Sequence, residues 1–493
     1  MRSLLKLPTH YKLVDYKPGD CFSIEKYFSS YDQVRHRYVP LALVYDKEKK
    51  ELKVPGGANP SIISKATGFK IHTVYTHDEY DEISIRSTMF PKNDLQKDMV
   101  QFLIGEGKYV ENKNYRQLVC NAETGEGKTF AAITTMTYHR CKMIVIVNRK
   151  NIKNNWINEI LKFTDIDKAR ILDCDTLAIR KIAEGTLNCD KYNAFVVIHR
   201  SINRVATTSG WGVIRAFFRN IRVGLKVYDE ANMEFVNSVY IDTNSNTFKT
   251  LYLTANMEKS GYRDNVVFTR SFAAVPKFNQ YALGYTDSKK HIVFISIQYN
   301  SHPNIAQISS CKVKRYGWFS AKKFSEYQVN EDSYFFDIID GLIDRFAVEK
   351  NMKMLILVSK IDSCNMIATH IASMHHKKLI GAYHSEVGDK LKKNILKTCD
   401  IIVSTGASLG FAETIKDLRV VVNCEAFRFK ATGNQASGRL RRLENGETCY
   451  YIELVDRGFY SVIDQYNTRK PYYRTLFKAL YELSYDSNGL KGV

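Results

Sequence analysis

Ala122-Glu123-Thr124-Gly125-Glu126-Gly127-Lys128-Thr129 stands between a short apolar run, Gln117–Cys120, and a helical run, Thr129–Tyr138. A strand, a glycine-bearing turn and a helix in that order are the context of a phosphate-binding loop. Backbone N–H groups must wrap phosphate oxygens closely, and a Cβ at Gly125 or Gly127 would obstruct the tight turn. The start of the following helix adds a dipole that favours anions. Lys128 is placed to reach the β- and γ-phosphates of ATP, and Thr129 to put a hydroxyl on Mg²⁺. The strict motif has glycine where Ala122 stands, and a small residue is compatible with the loop. A glycine-rich turn with an unrelated lysine is the bland alternative. The coincidence of strand, paired glycines, Lys-Thr and helix argues against it.

Outward from this loop, the pattern repeats. Met143–Val147, Phe195–Ile198, Leu225–Tyr228 and Thr250–Leu253 are short apolar runs, with helical stretches between them. Short buried strands alternating with helices predict βαβ units and a parallel sheet. The pattern restarts with Leu355–Val358, Ile401–Val403, Val420–Val422 and Tyr450–Leu454, and with helices over Phe335–Val348 and Asp362–Met374. The expected fold class is therefore α/β, with two parallel-sheet domains and a small β-containing N-terminal module. The expected bounds are 1–88 for the module, which is a possible nucleic-acid contact. The phosphate-loop domain spans 89–275, the second α/β domain 276–475 and a C-terminal extension 476–493. In the module, Tyr38–Val44 and Glu51–Val54 flank the charged turn Asp46–Lys50 and read as a hairpin.

Val227-Tyr228-Asp229-Glu230-Ala231-Asn232 ends one of the apolar strands. A carboxylate at a strand tip facing the phosphate loop can hold Mg²⁺ through water, which suits Asp229. Glu230 suits the group that orients and deprotonates the attacking water. An acidic helix cap is the alternative reading of the pair.

The chain has 493 residues and a net charge of +20, which attracts polyanions, DNA or RNA first among them. The 44% hydrophobic and 25% charged composition excludes global disorder. Ten cysteines are scattered without a C-x-x-C pair, which excludes a zinc ribbon and predicts reduced thiols in an intracellular compartment. No apolar run reaches the roughly 18 residues of a membrane-crossing helix, and the N-terminus carries no signal peptide, so no membrane role is expected.

The motifs resemble those of superfamily 2 helicases. Asp229-Glu230-Ala231-Asn232 resembles the DEAD/DEAH box, and Thr254-Ala255-Asn256 the motif that couples ATP state to nucleic acid. Gln435-Ala436-Ser437-Gly438-Arg439-Leu440-Arg441-Arg442 matches the Gln-x-x-Gly-Arg-x-x-Arg motif at every defined position. The resemblance implies two RecA-like domains, with Gln435 at the nucleotide and Arg439 and Arg442 reaching the γ-phosphate. It also implies adenine contact by Gln96. Asn148, Arg149 and Trp156 would grip the nucleic-acid backbone, together with Thr405 and Gly410. The whole chain is further similar to poxvirus transcript-release DNA helicases. That likeness implies a DNA-stimulated ATPase that unwinds DNA 3′ to 5′. It implies action in transcription termination and transcript release, with the viral RNA polymerase elongation complex and other transcription factors. The implied setting is the virion and the infected-cell cytoplasm. The residues themselves leave DNA and RNA unseparated, because backbone-tracking grooves carry no base code. An RNA remodeller and a non-motor, nucleotide-switched polymerase accessory factor stay open as alternatives. Intact Glu230 and the two arginines argue against a pure switch.

Overall fold

The computed structural model describes residues 3–32, 36–46, 49–255, 257, 262–285, 289–313, 317–409, 415–427, 433, 436–443, 446–486 and 489–491. The chain divides into two compact units, Met1–Gly284 and Tyr285–Val493.

The first unit is built on seven parallel strands. In space they run Ile171–Cys174, Ala194–Ile198, Met143–Val147, Leu225–Asp229, Lys249–Thr254, Gln117–Asn121 and Lys277–Asn279. Counted along the chain, the order is 3-4-2-5-6-1-7. The second unit repeats that order with Ile380–Tyr383, Ile401–Thr405, Lys353–Val358, Leu418–Asn423, Cys449–Asp456, Ile292–Tyr299 and Ala479–Asp486. An eighth strand, Gly489–Lys491, adds antiparallel to the last. Crossover helices cover both faces of such sheets, so the central strands carry apolar residues without alternation. Met143–Val147 is buried at every position, as the unbroken run predicts. This is the expected α/β class with two parallel-sheet domains.

The N-terminal module is a five-stranded sheet ordered Val44–Asp46, Glu51–Pro55, His10–Val14, Ser3–Lys6 and Ile71–Thr73. Within the first unit it packs against the seven-stranded domain. The Thr9 hydroxyl donates to the Ser245 carbonyl at 2.8 Å, and Lys53 Nζ to the Thr243 carbonyl at 2.6 Å. Beneath it lies a buried polar network. Lys226 Nζ meets Asp242 Oδ1 at 2.6 Å, while Tyr228 and Tyr252 donate their hydroxyls to the same carboxylate at 2.8 and 2.6 Å. A buried ion pair is worth keeping only when its remaining lone pairs are satisfied, as they are here. Lys226 and Tyr228 lie on the strand that delivers Asp229, so the network fixes that strand tip.

Three expectations are corrected. Tyr38–Val44 is not one strand. Arg37–Pro40 pairs with Ser29–Asp32, Val44–Asp46 pairs with Glu51–Pro55, and Ala42 between them takes φ +60°. A left-handed residue ends a run that composition alone presents as continuous. The join does not fall near 275, because Lys277–Asn279 pairs with the phosphate-loop strand as the edge of the first sheet. The expected extension is not an appendage over Ala479–Asp486, which pairs along Ile292–Tyr299.

Candidate nucleotide site

The phosphate loop leaves the strand Gln117–Asn121 and enters the helix Lys128–His139. Gly125 and Gly127 take φ +96° and +100°, so both glycines are required by the backbone. No side chain caps this helix start. Its first N–H groups are therefore left for an anion. Lys128 Nζ donates to the carbonyls of Ala122 at 2.7 Å and Glu123 at 3.0 Å, which folds the lysine back on its own loop. Gln96 lies against the same turn: a Cβ on Gly127 would sit 2.4 Å from Gln96 Nε2. Gln96 Oε1 accepts the Lys92 N–H at 3.0 Å, next to the Asn93-capped start of the helix Asp94–Ile104.

The strand Lys249–Thr254 binds the loop to the acidic turn. Its Thr254 carbonyl accepts the Ala122 N–H at 3.1 Å, and its Leu253 carbonyl accepts the Ala231 N–H at 3.0 Å. Asp229 thus stands beside Lys128, with Glu230 next in the turn, although more than a hundred positions separate them in sequence. Burial raises the Asp229 carboxyl above its ordinary value. An indole hydrogen bond from Trp156, the Lys128 ammonium and the Glu230 N–H oppose that rise. The Trp156 bond measures 2.8 Å and the Glu230 bond 3.0 Å. Glu230 itself takes φ +50°, a strained conformation for a side-chain-bearing residue. A hydroxyl at Thr129 and a carboxylate at Asp229 form an all-oxygen donor set, which fits a hard cation that keeps most of its water. Among the described residues no cluster of three or more His, Cys, Asp or Glu could hold a metal ion.

Trp156 is corrected by the structure. It is 2% exposed and donates to Asp229, so its ring is unavailable to a nucleic-acid backbone. Asn148 and Arg149 follow the strand Met143–Val147, and neither amide atom of Asn148 has a hydrogen-bond partner. Burial pulls the Arg149 guanidinium below its ordinary value. In the second unit, Thr405 ends the strand Ile401–Thr405 and donates to Ser408 Oγ at 2.8 Å. Arg439 is 8% exposed and Arg442 is exposed. Asn256, Gly410 and Gln435 lie outside the described residues.

Two residues that hold the loop from outside were not legible in the sequence. Gln280 Oε1 accepts the Glu123 N–H at 2.8 Å, and the Tyr281 hydroxyl donates to Glu123 Oε1 at 2.5 Å. Nothing near Gln280 in sequence signals this, because the strand Lys277–Asn279 brings it there.

Residues 89–210 match the family model described as type III restriction enzyme, res subunit. No curated protein matches the chain. Among solved structures, a fragment of a putative HsdR subunit of a type I restriction enzyme from Vibrio vulnificus YJ016 is similar at TM-score 0.54 and 11% identity. It covers 94% of this chain and 79% of its own. S. cerevisiae Dbp5, bound to RNA and ADP BeF3, is similar at 0.52 and 13%, covering 79% of this chain and 89% of its own. Mss116p, bound to ssRNA and AMP-PNP, is similar at 0.54 and 14%, covering 80% and 75%. At such identities the likeness shows the fold alone: an α/β chain with two RecA-like parallel-sheet domains.

Proposed function

We propose that the chain is an ATP-hydrolysing motor of superfamily 2 that works on nucleic acid. The observation that carries this reading is the convergence of Lys128, Asp229 and Glu230 around the end of the strand Lys249–Thr254. In this reading Lys128 exchanges two carbonyl partners for the β- and γ-phosphates. Glu230 takes the proton of the attacking water. Thr129 and Asp229 hold Mg²⁺, which when bound neutralises charge on the phosphate oxygens. Arg439 and Arg442 meet the charge that develops on the γ-phosphate. Thr254, Ala255 and Asn256 link that chemistry to a strand gripped by Asn148, Arg149, Thr405 and Gly410. Different grip in the ATP and product states then moves the chain.

The finer reading is a DNA helicase moving 3′ to 5′ that serves transcription termination and transcript release with a viral RNA polymerase. It is supported by the likeness to poxvirus transcript-release helicases and by the +20 charge. The test is phosphate release from ATP without nucleic acid, with single-stranded DNA, with duplex DNA and with RNA. Stimulation by DNA is expected. It should fade between roughly 50 and 200 mM salt, with a log–log slope of affinity near −0.9 per phosphate neutralised on duplex DNA. Stimulation by RNA alone would replace this reading with an RNA remodeller. No hydrolysis under any condition would overturn it.

A further inference from the structure

Glu123 is the second residue of the phosphate loop and only 2% exposed. Both of its polar ends are held by consecutive residues from far along the chain. Gln280, 0% exposed, accepts its N–H at 2.8 Å, and Tyr281 donates to its carboxylate at 2.5 Å. Its carbonyl is one of the two that hold Lys128 Nζ. Backbone bonds complete the frame. The Gln280 N–H reaches the Asn121 carbonyl at 3.4 Å, and the strand Lys277–Asn279 runs parallel to the strand that enters the loop. Three residues after Tyr281, at Gly284, the chain leaves its first unit.

We infer that Gln280 and Tyr281 are positioning residues of the phosphate loop, tying the shape of the cradle to the segment that leads out of the first unit. The inference rests on the ATPase reading above. A buried carboxylate inside a loop that must accept a polyphosphate opposes its own ligand unless it is neutralised or aimed away. A phenol hydroxyl on Glu123 Oε1 anchors it and stabilises its charge where it stands. The amide oxygen of Gln280 occupies the Glu123 N–H, which keeps that donor out of the phosphate set and leaves the donors from Thr124 onward for ligand. When Lys128 turns to phosphate, the Glu123 carbonyl loses its partner. Any shift of Glu123 that follows is felt directly at residues 280 and 281. The cradle and the exit of the first unit therefore move as one piece.

The test is a double-mutant cycle in the full chain with Tyr281→Phe, Glu123→Ala and the pair, together with Glu123→Gln and Gln280→Met. Loss of one hydrogen bond to a charged group changes an equilibrium by about tenfold. Tyr281→Phe should raise KM for ATP by about that factor, with kcat at saturating ATP within about twofold. Glu123→Ala should do the same, and the pair should be no worse than either alone, because one interaction is lost once. Glu123→Gln keeps an acceptor for Tyr281 and should restore most of the loss. Hydrogen exchange supplies the second readout. ADP should protect amides in 279–285 in the wild type and not in Tyr281→Phe. Multiplying effects in the double variant, or unchanged KM in Tyr281→Phe and Gln280→Met, overturn the inference while leaving the ATPase reading intact. A wild-type chain that neither binds nor hydrolyses ATP overturns the ATPase reading itself.

Discussion

After the first strand of the first sheet, Gln117–Asn121, the chain makes a loop with two glycines at positive φ and opens a helix that no side chain caps. After the first strand of the second sheet, Ile292–Tyr299, it makes Asn300-Ser301-His302-Pro303-Asn304 and a helix over Ile305–Ser310. That helix start is closed by a reciprocal cap. Asn304 accepts the Gln307 N–H at 3.0 Å, and Gln307 accepts the Asn304 N–H at 2.8 Å. The comparison extends to the fifth strands. Tyr228 pairs with Ile146, so Asp229 stands opposite Val147, the last residue of the second strand. Asn423 pairs with Leu357, so Cys424 stands opposite Val358 in the same sense. Cys424 and Glu425 therefore occupy the places of Asp229 and Glu230. One topology has been laid down twice; the first copy leaves its helix start without a side-chain cap, and the second closes its own. Fold alone does not make the site; the uncapped helix start and the lysine do.

The largest effect that can break this comparison is at the two helix starts. Lys128→Ala should abolish ATP hydrolysis, while binding to DNA survives because its charge is spread over the chain. Asn304→Ala, the matched change at the capped start, should leave turnover unchanged and lower stability by about 1 kcal/mol. Phosphate release and urea unfolding of both variants decide it. Near wild-type turnover in Lys128→Ala would remove the distinction between the two copies.

The second unit should still contribute at its arginines. Arg439→Ala and Arg442→Ala should each slow single-turnover hydrolysis by about 10³ to 10⁵, the range of a finger arginine, with ATP affinity nearly kept. Rates within a few-fold of wild type for both would remove them from the chemistry and leave Arg442 a surface cation, worth at most about 1 kcal/mol of stability.

A smaller effect is expected at Trp156. Its indole is one of the groups that oppose the rise of the Asp229 carboxyl. Trp156→Phe removes that donor, so the carboxyl rises further and needs a higher pH to ionise. The acidic limb of kcat/KM should move up by about one pH unit, since a hydrogen bond to a charged group is worth about 1.5 kcal/mol or more. An unmoved limb would detach Trp156 from the chemistry.

What could be read from the sequence follows from how local each signal is. The loop 122–129 carries its context in adjacent residues, and strands such as Met143–Val147 announce themselves by unbroken apolar character. Trp156 could not be read that way. A tryptophan beside Asn148 and Arg149 looks the same whether it faces solvent or Asp229, and the deciding contact comes from a strand far along the chain. Gln280 and Tyr281 reach Glu123 only because three residues, Lys277–Asn279, pair as an edge strand too short to show a pattern. Ala479–Asp486 was missed for a related reason: Glu482, Ser484 and Asp486 interrupt its apolar character.

The smallest effect concerns Glu425, the counterpart of Glu230. Its carboxyl is buried beside Ser359, whose hydroxyl donates to Oε1 at 3.3 Å, and beside Gly406, where a Cβ would come within 2.3 Å of Oε2. Burial pushes it up to about 7, against hydrogen bonds from Ser359 and the Gly406 backbone that favour its charge. For an acid whose folded value is raised, the unfolded chain gives up its proton first. Between about pH 4.5 and 7 the unfolded state binds fewer protons than the folded state, so stability falls as pH rises through that window. Glu425→Gln keeps an acceptor for Ser359 and has no charge to bury. It should match the wild type near pH 4.5 and exceed it by about 1–3 kcal/mol at pH 8, with a flatter pH dependence of urea unfolding. The two copies then separate cleanly: Glu230 must ionise to act as a base, and Glu425 resists ionisation because burial outweighs the hydrogen bonds from Ser359 and the Gly406 backbone. If Glu425→Gln is less stable than wild type at pH 8, the carboxylate is doing something at its strand tip that Ser359 and Gly406 do not explain. The second sheet would then hold a working acid after all.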